Sequence, residues 1–258
     1  MSTVAHKGTA DGAATGSPEG PPEDLPRGKG VLIIACGALS HEIIALRRAN
    51  GWDQLDVRCL PAELHNRPER IPAAVRALIH ASRCHYRSIF VAYADCGTGG
   101  LLDAVLREEG IERIPGAHCY EFFATSPVFE ELAAAEPGTF YLTDFLLRHF
   151  DRLVLRGLGL DRHPELFSSY FGNYRKLVYL AQAPEPGARA RAQAIAARMG
   201  LEFEYRETGY GTLETALASA VKRGAARHEE ARRDDSGRDD VRREDEVPRN
   251  EEVVAWHR

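Results

Sequence analysis

The chain is expected to fold as an α/β protein: a mostly parallel, open doubly wound sheet with helices on both faces. Two observations predict this. Short apolar runs such as "GVLIIACG" and "SIFVAY" have the continuous character of strands buried on both faces. Between them lie segments with apolar residues at helical spacing, such as "RPERIPAAVRALIHAS" and "LLDAVLREEG". A closed eight-unit barrel would need more units than the chain supplies. One domain and two small lobes around a cleft both fit the pattern.

The elements follow in order. "GVLIIACG" is the first strand, and Ser40 is placed to cap the helix "HEIIALRRANG", which stops at Gly51. "LDVRCLPA" is the second strand. The next helix carries Pro68 and Pro72 near its start, where proline is tolerated. "SIFVAY" and "LLDAVLREEG" form the third strand and its helix, and "ERIPGAHCYEFF" reads as a shorter strand and turn. "GTFYLTD", "KLVYLAQ" and "LEFEYRE" are strands. "FLLRHFDRLVLRGLG", "ARARAQAIAARMG" and "TLETALASAVKR" have helical spacing. "GLDRHPELFSSYFGNY" is too irregular for a helix and longer than a simple turn, as loops over binding sites often are.

Residues 30–221 are therefore expected to form the α/β domain. Residues 1–29 lack aromatic residues and are rich in Gly, Pro, Ala and Ser, so they should be disordered. Residues 222–258 mix both charge signs with few apolar residues and read as a charged, solvated tail. A net charge of −5 offers no basic field for nucleic acid or an acidic membrane. No run approaches the ~20 apolar residues of a spanning helix, and no secretory h-region opens the chain. The expected setting is the cytoplasm, with a small-molecule substrate as partner.

The five cysteines include no CxxC pair, and a disulfide framework is not expected of a cytosolic chain. Open parallel sheets bind ligands beyond the carboxyl ends of their strands. Cys36, Cys96 and Cys119 each follow a strand-like run and fall at that edge, whereas Cys59 and Cys84 read as core residues. Three readings stay open for the edge thiols. Converging thiolates would bind zinc or iron, with His118 or Asp95 as a further ligand or supporting partner. Cysteine is also among the most buried residue types, so the three could be inert packing. A single nucleophilic cysteine would need a base in reach, for which His118, His41 and His65 are candidates.

Other site candidates gather at the same edge. Glu121, close to His118 and Cys119, could serve as a ligand or general base, or as a first-turn acid of a helix. Arg67 and Arg70 could clamp an anionic substrate. In "DCGTGG", Gly97, Gly99 and Gly100 either offer backbone amides to a phosphate or carboxylate or form a tight turn; the loop is neither G-x-G-x-x-G nor a P-loop. Asp161, His163, Asn173 and Tyr174 lie in the long loop, and Gly209, Tyr210 and Gly211 form another corner after the last strand.

"ACGAL", "LPAELHNRPERI", "YADCGTGG", "HCYEFF", "EPGTFYLTDFLLRHFD", "GLDRHPEL" and "FGNYRKLVYLAQ" together resemble the family known as domain of unknown function 1638, over residues 30–211. Members of that family often lie near genes for corrinoid proteins and methyltransferases. The resemblance therefore implies a role in one-carbon metabolism, either as a metal-dependent methyltransferase or as an accessory protein to a corrinoid methyltransferase. Zinc held by thiolates would suit such chemistry by activating a thiol as methyl acceptor. An enzyme that holds a phosphate ligand in the DCGTGG loop is the remaining alternative.

Overall fold

The computed structural model describes residues 29–226 and 229. Apart from Lys29 and residues 222–226, which belong to regular elements, the two expected tails lie outside the described residues.

The fold is α/β and all its strand pairings are parallel, but the strands form two sheets rather than one. The first contains β1 (Lys29–Cys36), β2 (Leu55–Leu60) and β3 (Tyr86–Ala92) in the order β2-β1-β3. The second contains β4 (Thr139–Thr143), β5 (Lys176–Ala181) and β6 (Glu202–Glu207) in the order β4-β5-β6. Each sheet buries its middle strand: Leu32 to Ala35 of β1 and Leu177 to Ala181 of β5 have no exposed surface. These are the continuous apolar runs of the sequence, and burial on both faces is why they do not alternate.

The helices are α1 (Ser40–Ala49), α2 (Ile71–Ser82), α3 (Leu101–Glu109), α4 (Cys119–Ala124), α5 (Ser126–Ala135), α6 (Asp144–Arg148), α7 (Phe167–Phe171), α8 (Ala188–Met199) and α9 (213–226). Helix α2 shows how sequence becomes packing. Ile71, Val75 and Ile79 recur every four residues, share one face and are fully buried on the first sheet. Pro72 occupies its first turn, while Pro68 opens a separate 3-10 turn (Pro68–Arg70) just before it. Helix α9 packs back on the same core through Leu213, Leu217 and Ala220, although it follows the whole second sheet in the chain.

Three expectations are corrected. Ser40 does not cap α1; it is the first helical residue and its hydroxyl donates to the Gly37 carbonyl at 2.9 Å. "ERIPGA" forms only an isolated bridge, Val91 to Arg113, rather than a strand. "FLLRHFDRLVLRGLG" is not one helix: α6 ends at Arg148, and a π-helical turn (Asp151–Arg156) follows. The irregular loop after it holds a 3-10 turn (Pro164–Leu166) and α7.

Gly211 locks the corner after β6. It has φ +51°, and a Cβ there would collide with the carbonyl oxygens of Phe122 and Phe123 in α4. Gly211→Ala is expected to destabilise the fold by about 3 kcal/mol, from backbone strain added to a backbone clash. Gly51→Ala has a similar positive φ of 62° but open space around it, and should cost only about 1 kcal/mol. Urea midpoints of the two variants give the comparison.

Candidate functional site

The chain reverses direction across the first sheet at β1, which has β2 on one side and β3 on the other. The carboxyl end of β1 is therefore a topological switch point, the place where open parallel sheets build sites. The turn after β1 and the loop after β3 flank it, and they bring Cys36 and Cys96 together; α4 contributes Cys119. The three thiols are close enough to oppose one another's ionisation.

Their environment keeps them protonated. Burial pushes the Cys36 thiol up to about 12 and the Cys96 thiol up to about 11, and it raises Cys119 well above its ordinary value. The backbone amide of Ala38 donates to the Cys36 sulfur at 3.3 Å, too weak an offset to reverse the effect. Among the described residues, no group of three or more His, Cys, Asp or Glu side chains is arranged to hold a metal ion. Cys36, Cys96 and Cys119 are thus not arranged, among the described residues, as the zinc or iron expectation requires; Cys36 and Cys96 are buried and Cys119 is partly exposed.

The glycine loop is an anion cradle that is already filled. The Asp95 carboxylate accepts from the Gly100 amide at 2.8 Å, the Gly99 amide at 3.1 Å and the Thr98 hydroxyl at 2.7 Å. Burial pushes Asp95 up, but these hydrogen bonds outweigh it and hold the carboxyl below its ordinary range. Gly97, Gly99 and Gly100 all have positive φ and make the turn, so the expectation that they receive a phosphate is corrected. Cys96 itself has φ +50°, an unusual value for a residue with a side chain. The loop holds it there through the Asp95 and Cys96 amides, which donate to the Gly116 and Ala117 carbonyls at 3.1 and 2.9 Å.

A cavity of about 270 Å³ lies between the carboxyl edges of the two sheets. Its walls are chiefly apolar and aromatic, with Phe140, Phe145, Phe171 and Tyr174 from the second half and Ala38 and Ala62 from the first. The side chains on the wall with a polar group are His65, Asn66, Cys119, Thr143 and the tyrosines Tyr120, Tyr170 and Tyr174. That mixture is typical of a small-molecule site.

His65 is the best-oriented of them. Its Nδ1 lies 3.3 Å from the Ala62 carbonyl oxygen and 3.6 Å from the Cys36 sulfur. A carbonyl can only accept, so Nδ1 carries the proton and the lone pair sits on Nε2. The ring also stacks on Tyr93, 6.5 Å away at 15°. Desolvation by its crowded surroundings lowers the His65 pKa from 6.5, and nearby His118 adds to this against the opposing Ala62 contact. His65 is exposed at the cavity wall, and its lowered pKa favours the neutral imidazole.

The remaining sequence candidates divide. Tyr174 lines the cavity and packs edge-on against Phe140. Glu121 does not stand free as a base, because its oxygens accept from the Ala117 amide at 2.9 Å and the Ser126 hydroxyl at 2.6 Å. His118 is exposed, rests beside Tyr120 and Phe129, and is not on the cavity wall. Arg67 and Arg70 are exposed and are not among the cavity-lining residues, and Arg70 lies 3.8 Å from Glu69. Asn173 is exposed, as are Asp161 and His163, the last paired with Glu165. Cys59 and Cys84 are exposed rather than core residues.

The sequence reading overlooked Glu42, which is 4% exposed in the first turn of α1. The signal was available: an acid two residues beyond Ser40, at the ligand edge, immediately before two isoleucines. It also passed over Tyr93 and Tyr120, whose positions beside Cys96 and Cys119 follow from the same strand ends. Tyr93 is 1% exposed, and its hydroxyl has no hydrogen-bond partner among the described residues.

Residues 59–217 match the family model described as a protein of unknown function (DUF1638). The chain belongs to the DUF1638 family. The match bears out the family resemblance over these residues, and it covers the cavity-lining residues from Ala62 to Tyr174 but not Ala38. No curated protein and no solved structure matches the chain. No helix among the described residues is long and apolar enough to cross a membrane.

Proposed function

We propose that this DUF1638 protein is an enzyme that binds a small, largely apolar or aromatic molecule between its two sheets and acts on it by general acid–base chemistry. His65 is the base, and Cys119 on the same wall is the thiol placed to take part. The observation that carries the reading is the fixing of His65 Nδ1 by the Ala62 carbonyl and Cys36, which leaves Nε2 unprotonated at a cavity lined by aromatic rings. Cys36 acts as a positioning residue: its neutral thiol supports the imidazole from behind. One-carbon chemistry is one reaction class this arrangement admits: the base removes a thiol proton, the sulfur forms a bond to the methyl group of a methylated donor, and the donor departs with the electron pair of its broken bond to that methyl. A corrinoid methyltransferase as partner would fit that class. The metal-dependent form of the proposal is set aside because the thiols do not fit a metal.

The test is turnover of a panel of small aromatic and methylated substrates, with and without an added thiol, by the purified full chain. Activity should fall about a hundredfold in His65→Gln. In the wild type, kcat/KM should rise with pH through an apparent pKa below 6.5, because the active form is the neutral imidazole. Equal turnover by wild type and a folded His65→Gln variant would sink the reading.

A further inference from the structure

A second polar centre lies beside the cavity, where α1, α6 and the corner after β6 meet, and its charged members are not among the cavity-lining residues. Its members face one another electrostatically: Glu42 with Arg148 and Asp144, and Tyr210 with Glu42 and Asp144. Asp144 is fully engaged. Its carboxylate accepts from the Tyr179 hydroxyl at 2.5 Å and the Ala183 amide at 2.7 Å, and its own amide donates to Gln182 at 3.0 Å. With Thr143 capping the helix through the Leu146 amide, α6 is held firmly in place.

Glu42 and Arg148 are not engaged in the same way. Among the described residues, Glu42 Oε2 is buried and has no hydrogen-bond partner, and neither have Arg148 Nε and Nη2, which are also buried. The remaining guanidinium nitrogen, Nη1, turns outward to Glu185 at 3.5 Å. The two orphaned nitrogens are the side-by-side edge of the guanidinium, whose parallel N–H groups match the two oxygens of a carboxylate. Buried polar atoms are nearly always paired, and here an acid and a guanidinium that attract each other leave three such atoms open.

We propose that Arg148 and Glu42 form a subsite for the carboxylate of a small organic acid, gripped side-on by Arg148 Nε and Nη2 and closed by Glu42. This goes beyond the cavity reading and rests on different residues. Glu42 serves in its acid form, donating its O–H to the incoming anion; burial raises its pKa, and Asp144 adds to that effect against Arg148. A singly charged planar anion suits the place better than phosphate, which would bring more negative charge towards both Asp144 and Glu42. The Arg148 side chain is 23% exposed as a whole, while Nε and Nη2 themselves are buried.

Acetate, benzoate and inorganic phosphate titrated into the full chain test this, with thermal stability and the 15N-detected Arg148 Nε–H signal as readouts. A saturable rise in Tm and a moved Nε–H signal are expected with the carboxylates and not with phosphate. Arg148→Lys keeps the charge but loses the fork, and should weaken carboxylate binding at least tenfold. Glu42→Gln keeps a donor and should stay within about threefold of wild type. No saturable response in the wild type, which would mean that water alone fills the gap, overturns the proposal. Stronger binding of phosphate, or carboxylate binding unchanged in Arg148→Lys, also overturns it. The Nε–H signal decides the matter in wild-type protein if the variant does not fold.

Discussion

Replacing Asp144 by alanine is expected to lower the stability of the fold by about 3–5 kcal/mol, the range seen when a buried charged hydrogen-bonding group is cut from its partners. Asp144 is 5% exposed and stands at the first residue of α6, directly after β4. Its loss leaves the Tyr179 hydroxyl and the Ala183 amide buried without an acceptor. Each orphaned donor costs about 1–3 kcal/mol. Tyr179→Phe removes one donor and leaves the Ala183 bond in place, so it should cost about 1–2 kcal/mol. Urea unfolding of both variants gives the ratio. If Asp144→Ala is no worse than Tyr179→Phe, the carboxylate is not the anchor of α6.

The five thiols are expected to divide sharply when a water-soluble alkylating agent is added at pH 8. The exposed Cys59 and Cys84 should react first, and Cys36 and Cys96 should stay protected until the chain unfolds. With its pKa near 12 against an ordinary 9.0, Cys36 holds about a thousandth of the thiolate of a free thiol, before steric shielding is counted. The same shifts make the fold sensitive to alkali. An unfolded cysteine loses its proton near pH 9, whereas Cys96 and Cys36 keep theirs to about 11 and 12. The native state therefore binds more protons across that interval, and stability present below pH 9 is lost as pH rises through it. Mass spectrometry of labelled peptides and urea midpoints at pH 8 and pH 10.5 check the two halves of this prediction. Rapid labelling of Cys36 in folded protein would show that its pocket is open.

The strands with continuous apolar runs could be read directly, because a strand buried on both faces leaves an unmistakable mark: Leu32 to Ala35 and Leu177 to Ala181 are the clearest cases. The division into two sheets could not be read, since it depends on which edges pair and every strand looks alike in that respect. The ligand edge was legible as well. Cys36 follows β1 and Cys96 follows β3 as their strands place them, whereas Cys119 opens α4, and Tyr174 lies on the cavity wall. Their chemistry was not, because it depends on burial. Neighbours brought from distant parts of the chain keep the thiols neutral.

Other misses have local causes. In "DCGTGG" the anion for the glycine amides was Asp95, written one residue ahead of Cys96; an acid just before a glycine turn often caps that turn itself. Glu121 is taken by Ala117 and Ser126 for a similar reason. The interruption between α6 and the π-helical turn is hidden because Phe150 and Val154 keep facing the core through it. Helical spacing of apolar residues survives such a change of winding.

Helix α9 has a bearing on how the chain matures on the ribosome. Leu213, Leu217 and Ala220 complete a core whose other members begin at Val31, so one side of the first sheet stays uncovered until almost the whole domain has been synthesised. During that interval Val31 and its neighbours present bare apolar surface, the condition that invites chaperones or aggregation. A chain cut after Glu207 should reproduce this state permanently and expose protease sites in the first half as well as at the cut. The second half keeps its own core of Leu142, Leu177 and Ala192 throughout. The birth order of this protein is thus the reverse of its reading order: the half that is written first is the half that is finished last.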